Sequence, residues 1–221
     1  EALLDAARKA GAEAADAVAV AGTSISIDVR GGALEQAERS EGVDVGLRVM
    51  MGRRQACVSS SETSAETFAE MAERAVAMAW EAPEDPGVLQ AAPSALATDT
   101  DMARLELDDP ATEPDPAALE EAARSAEAAA LGVSGISTVE SASAAYGRRR
   151  MHLATSAGFS AGFSRTDSSL SCIAITGEGT GMERDYCGEV RVRRADLPTP
   201  DWVGRTAAER TVARAGARKP P

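Results

Sequence analysis

Gly158-Phe159-Ser160-Ala161-Gly162 has the G-x-S-x-G spacing of a serine-hydrolase elbow, where a sharp strand-to-helix turn presents the serine to an acyl carbon. That chemistry needs an acid and then a histidine later in the chain. The only histidine, His152, precedes this serine, and the residues from Ser168 to Ile175 alternate as a strand does. The motif also lies inside a direct repeat, Ser156-Ala157-Gly158-Phe159 followed by Ser160-Ala161-Gly162-Phe163. A hairpin with glycine at the turn and phenylalanine packed inward explains it more economically than a nucleophile. Cysteine chemistry fares no better. A catalytic thiolate needs an adjacent base, and His152 is the one such partner for Cys57, Cys172 or Cys187. Cys172 falls on the apolar phase of its strand and Cys57 sits beside Ala56 and Val58, so buried, inert thiols are expected. One histidine and three scattered cysteines do not have the spacing of a tetrahedral zinc site.

Two further clusters are weaker still. Gly177-Glu178-Gly179-Thr180-Gly181 lacks the lysine and the following helix of a phosphate cradle and reads as a turn. Arg148, Arg149, Arg150, Arg191, Arg193 and Arg194 could line a strip for a nucleic-acid backbone. With few aromatics among them for base stacking, charged strand edges that discourage aggregation are the simpler reading.

The elements that must carry these residues fall into two similar runs. Residues 1–10 form a helical face of Leu3, Leu4 and Ala7, closed by Gly11. Strand patterns follow at 17–20, 24–29, 33–40, 43–49 and 54–60, with Gly31-Gly32 as a hairpin signal and Gly42 and Gly52 as breaks. Ser64 opens a helix through Trp80. An acidic, proline-rich connection spans 81–114, and Asp115-Pro116 starts a helix through Leu131. Strands are then expected at 136–146, 149–156, 162–176 and 183–193, and a helix at 201–215. The second run therefore repeats the first. Ala72–Ala79 and Ala208–Ala215 agree at six of eight positions, an echo consistent with duplication. The expected fold is α+β: two related halves, about 1–80 and 115–221, each an antiparallel β-meander packed with α-helices.

Composition limits what such a fold can do. The 221 residues include 47 alanines but only 7 aromatics, so the core must rely on close backbone approach between helices and sheet. The net charge is −12, with residues 1–139 contributing −16 and residues 140–221 contributing +4. An acidic chain of this kind is repelled by nucleic acid. No run nears the roughly 18 apolar residues of a membrane span and no signal peptide opens the sequence, so a soluble, cytoplasmic protein is expected. The odd cysteine count suits reduced thiols in that compartment. Glu1 at one end and Lys219-Pro220-Pro221 at the other suggest a piece of a longer protein.

The order of several short segments resembles the N-terminal domain of the TldD/PmbA family, long labelled modulators of DNA gyrase. They are Arg30-Gly31-Gly32-Ala33-Leu34-Glu35 with Ser40-Glu41-Gly42, Gly46-Leu47-Arg48-Val49, Ser59–Ser64, Ala75–Ala79 and Glu84-Asp85-Pro86. The second half adds Leu153–Phe159, Met182-Glu183-Arg184-Asp185-Tyr186, Asp196-Leu197, Val203-Gly204-Arg205, and Gly216-Ala217-Arg218-Lys219 as a junction to a second domain. The resemblance covers nearly the whole chain and lies nearer the PmbA (TldE) side.

The resemblance implies a cytoplasmic metallopeptidase system for unfolded or precursor peptides. In that family a His-Glu-x-x-x-His zinc motif lies in the C-terminal portion of the TldD-type subunit, which pairs with a PmbA-type subunit. This sequence has no such motif, so the resemblance carries over no catalytic and no metal residue. Zinc, if used, is expected in a partner subunit or a missing C-terminal domain, and no cofactor is expected in this piece. The expected partners are a peptide substrate and a TldD/PmbA-type subunit in a homo- or heterodimer, with no membrane and no nucleic acid. Ser156, Gly158 and Phe159, with Glu183, Arg184, Asp185 and Tyr186, are the candidate substrate or subunit contacts. An open strand edge there could add an extended peptide through main-chain hydrogen bonds. The alternative is a non-enzymatic binding module acting on a DNA gyrase complex.

Overall fold

The structure, a computed structural model, describes residues 1–217. Of the expected junction Gly216-Ala217-Arg218-Lys219, the last two residues lie outside the described residues. The chain runs α1 (Ala2–Lys9), β1 (Ala14–Arg30), β2 (Ala33–Met51), β3 (Arg54–Ser60), α2 (Ala65–Glu81), α3 (Pro116–Leu131), β4 (Ile136–Thr155), β5 (Ser160–Thr176), β6 (Glu183–Arg191) and α4 (Pro200–Arg214). Each half is thus helix, three strands, helix. The fold is α+β, with one antiparallel sheet of six strands in the order β3-β2-β1-β4-β5-β6. The order is symmetric about β1 and β4: each half contributes three consecutive neighbours.

Helix starts follow the local chemistry. Ser64 accepts a hydrogen bond from the Thr67 N–H at α2, Asp115 accepts from the Ala117 N–H at α3, and Thr199 accepts from the Trp202 N–H at α4. Pro116 and Pro200 occupy first-turn positions, where their missing N–H costs nothing. The strands are longer and fewer than the sequence suggests. The patterns at 17–20 and 24–29 are one strand, as are those at 33–40 and 43–49 and those at 136–146 and 149–156. Gly22, Gly42 and Gly147 lie within strands, whereas Gly31, Gly32 and Gly52, with φ of +60°, +71° and +60°, make the turns. A glycine ends a strand only where the chain requires positive φ.

Contacts divide the chain into two compact units. The first holds Glu1–Gly22, Glu41–Leu107 and Arg149–Ser164; the second holds Thr23–Ser40, Asp108–Arg148 and Arg165 onward. In the first, α1 and α2 pack together, α2 lies on β3, and the core is built around Leu4, Leu47, Val49, Met71 and Ala75. In the second, α3 packs on α4, α4 on β6, and the core is built around Ile25, Val29, Ala126, Cys172 and Val203. Small residues set the spacing there. A Cβ added at Gly204 would overlap the Ala126 carbonyl oxygen, so α3 and α4 touch backbone to backbone. This is the close approach that an alanine-rich, aromatic-poor chain requires.

Candidate functional site

In the first unit, β4 and β5 form a hairpin whose turn carries Ser156, Gly158 and Phe159. Gly158 has φ of +92°, and its N–H donates to the Thr155 carbonyl at 3.0 Å. The Ser156 N–H donates to the Ala15 carbonyl at 2.8 Å, and the Ser156 hydroxyl accepts from the Ala15 N–H at 3.0 Å. Gln90 Nε2 joins the same cluster, donating to the Ala15 carbonyl at 3.0 Å and to Asp16 Oδ1 at 2.8 Å. Ser156 therefore ties the hairpin to β1. Phe159 lines a groove of about 250 Å³ with Met102, Met151, Leu153 and Phe163, whose walls are almost wholly apolar.

The same hairpin brings together two residues that the sequence sets apart. His152 Nε2 lies 2.9 Å from Ser160 Oγ, within reach for a proton to be shared. Ser160, however, opens a strand that runs on to Thr176, so no nucleophile elbow is formed. Gly162 explains the tight pairing: a Cβ there would overlap the Met151 carbonyl and stand 2.8 Å from His152 Nδ1.

In the second unit, Glu183, Arg184, Asp185 and Tyr186 open β6. Asp185 Oδ1 accepts from the Tyr186 N–H at 2.8 Å, and Oδ2 accepts from Arg214 Nη1 at 3.3 Å. The Tyr186 N–H foremost, with Arg214 added, holds the Asp185 carboxyl below its usual range. The Asp185 N–H donates to Thr211 Oγ1 at 3.1 Å, and Arg210 donates to the Tyr186 carbonyl at 3.0 Å. Arg184 pairs with Glu140 at 3.0 Å, and Glu183 lies 3.8 Å from Arg214. The side chains of Glu183, Arg184 and Asp185 are thus engaged within the chain, while Tyr186 is 62% exposed.

Several other groups are placed plainly. Gly177 and Gly179, with φ of +75° and +56°, turn the chain between β5 and β6. Arg148 pairs with Asp108 at 2.6 Å and Arg191 with Glu189 at 2.8 Å, so part of the basic strip is neutralised locally. Cys172 and Cys187 are buried, as the apolar phase suggests for Cys172; Cys57 is exposed, against expectation, because its side of the edge strand β3 faces away from the first unit's core.

Two carboxylates matter that the residue patterns did not single out. Glu127 is 3% exposed on α3, and its oxygens accept from the Gly31 N–H at 2.6 Å and the Gly32 N–H at 2.8 Å. Its place on the apolar stripe of α3, four residues after Ala123, was the available signal. Asp109 is also buried; it accepts from the N–H groups of Ala111 and Arg194 at 2.9 Å each, and its own N–H donates to Thr166 Oγ1 at 2.7 Å.

Among the described residues, no group of three or more His, Cys, Asp or Glu side chains could hold a metal ion. Zinc takes thiolates and neutral imidazoles, and burial pushes the Cys172 thiol up to about 12, away from the thiolate form; His152 Nε2 faces Ser160. No helix among the described residues is long and apolar enough to cross a membrane.

Residues 15–79 match the model of the PmbA/TldA metallopeptidase domain 1, and residues 109–215 match that of the PmbA/TldA metallopeptidase central domain. The chain belongs to the PmbA/TldD family. It is 33% identical over 199 residues to the metalloprotease PmbA of Escherichia coli O157:H7, a match covering 89% of this chain and 43% of that protein. A crystal structure of a proposed DNA gyrase modulator from Bacteroides thetaiotaomicron VPI-5482 superposes with a TM-score of 0.88 at 22% identity, over 99% of this chain and 49% of that one. TldE from Thermococcus kodakarensis gives 0.71 at 16% identity, over 96% and 46%. At these identities the two structures establish a shared fold. The chain spans about half the length of the PmbA/TldD relatives it matches.

Proposed function

We propose that this chain serves as the N-terminal portion of a PmbA-type member of a cytoplasmic metallopeptidase system that degrades unfolded or precursor peptides. Its part is substrate access and subunit pairing, in a homo- or heterodimer with a PmbA/TldD-type subunit, rather than bond cleavage. The observation that carries this reading is the 33% identity over 199 residues to a metalloprotease. The buried Cys172 and Cys187 thiols, both raised by burial, support the division of labour, because zinc takes thiolates; the metal would be supplied from elsewhere in the assembly.

Two surfaces suit the role. The apolar groove beside Phe159 fits a hydrophobic side chain of an extended peptide, and exposed Tyr186 on edge strand β6 fits a peptide or subunit contact. Ser156 and Gly158 shape the first surface, and Glu183, Arg184 and Asp185 brace the second. The test uses the complete parent protein with its partner subunit. Phe159→Ala and Tyr186→Ala are expected to lower cleavage of an unfolded peptide or weaken assembly about tenfold, the loss of one well-buried aromatic contact. Unchanged cleavage and assembly in both variants, or turnover by this chain alone, would overturn the proposal. The gyrase-modulator description of the structural relatives favours a second reading, a binding module on a gyrase–DNA complex. The net charge of −12 weighs against it.

A further inference from the structure

Cys172 on β5 and Cys187 on β6 are direct partners in the antiparallel register of these strands. Opposite residues of such a pair point to the same face, with Cα atoms about 4.5 or 5.5 Å apart depending on the hydrogen-bonding class. Both spacings fall inside the roughly 4.4–6.8 Å usual between the Cα atoms of a disulfide, and the shared face keeps the two Cβ atoms from pointing apart. The two thiols are 0% and 1% exposed in the core of the second unit, and no bond joins them.

The charged groups around them are Glu127 of α3, Arg210 of α4 and Glu189 of β6. Burial foremost, then Glu127 and the neighbouring sulfur, raises Cys172; burial also raises Cys187, with Arg210 opposing. Closed within the sheet, both are protonated and inert. Among the described residues β6 has a strand neighbour on one side only, and α4 packs on it, so Cys187 is uncovered when β6 opens away from β5 and α4.

We propose that Cys172 and Cys187 form a latent cross-strand disulfide, closed by a low-molecular-weight disulfide such as oxidised glutathione and reopened by reduced thiol. As β6 frays, Cys187 gives its proton to solvent and its sulfur attacks one sulfur of the oxidant. One glutathione leaves as thiolate and takes up a proton. Cys172 then loses its proton and attacks the Cys187 sulfur of the mixed disulfide, expelling the second glutathione. Two protein S–H bonds and the S–S bond of the oxidant become one intramolecular S–S bond and two glutathione thiols. The product fixes the edge strand covalently to its neighbour. This inference concerns the second unit alone and does not rest on the peptidase reading.

The test uses the Cys57→Ser variant, which leaves only the pair. The folded protein is incubated with oxidised glutathione, both in buffer and in urea just below the unfolding transition, then acid-quenched. The free thiols are expected to fall from two to none, the intact mass to drop by two hydrogens, and a peptide map to join residues 172 and 187. The Tm should rise by roughly 5 °C and return on reduction. Adding Cys187→Ala should leave Cys172 a thiol and abolish the rise. Two thiols persisting in both conditions, stable glutathione adducts, or a link that forms only in fully denatured protein would each overturn the proposal.

Discussion

Asp109, near the end of the acidic connection, ties that segment to the first half of β5 through the Thr166 hydroxyl and to the chain beyond β6 through the Arg194 N–H. The N–H of Ala111, then that of Arg194, holds its carboxyl below the ordinary range, against the opposing effect of burial. A lowered folded pKa gives stability that is complete above the unfolded value of about 3.9 and is lost as pH falls through the folded one. Asp109→Asn is expected to cost about 1–2 kcal/mol at neutral pH, with the gap from the parent closing below about pH 4. Urea titrations across that range check it. Gly204 carries a second prediction at this scale. Alanine there must push α4 off Ala126, and a loss of about 3 kcal/mol is expected from the urea midpoint, at the upper end of overpacking costs.

The hairpin joining β1 and β2 shows what an element reveals in sequence and what it hides. Gly31-Gly32 announces the turn, because two successive left-handed residues call for glycine, and both have positive φ. Nothing local announces that Glu127, 96 residues away from Gly31, receives both turn N–H groups. Glu127→Ala leaves those donors without their acceptor. It should cost about 1–3 kcal/mol and speed amide exchange at Gly31 and Gly32 while the caps at Ser64 and Asp115 stay protected. Hydrogen exchange read residue by residue settles it. The caps were legible because a serine or aspartate acts within three residues of itself. The strand lengths were not, because Gly22 and Gly42 look like breaks until pairing with a neighbour holds them extended. The candidate site divides in the same way. The turn at Gly158 follows from composition, but the meeting of His152 with Ser160 and the engagement of Arg184 with Glu140 depend on register and long-range pairing.

For the whole molecule, charge gives the simplest prediction. At −12, with Arg148 and Arg191 of its basic strip already paired, the chain should show no measurable retention on duplex DNA even at low salt. Electrophoretic mobility shift checks this; tight binding that collapses steeply with added salt would favour a nucleic-acid role instead. The repeated succession of helix, strands and helix made the two-run pattern visible in sequence, yet the compact units do not follow that division.

Each unit borrows from the other run: the first needs Arg149–Ser164, and the second needs Thr23–Ser40. A nascent chain leaving the ribosome therefore cannot finish its first core when the first run of elements has emerged. That core waits until Ala154 is out, and the other waits for α4, so both are completed late in translation.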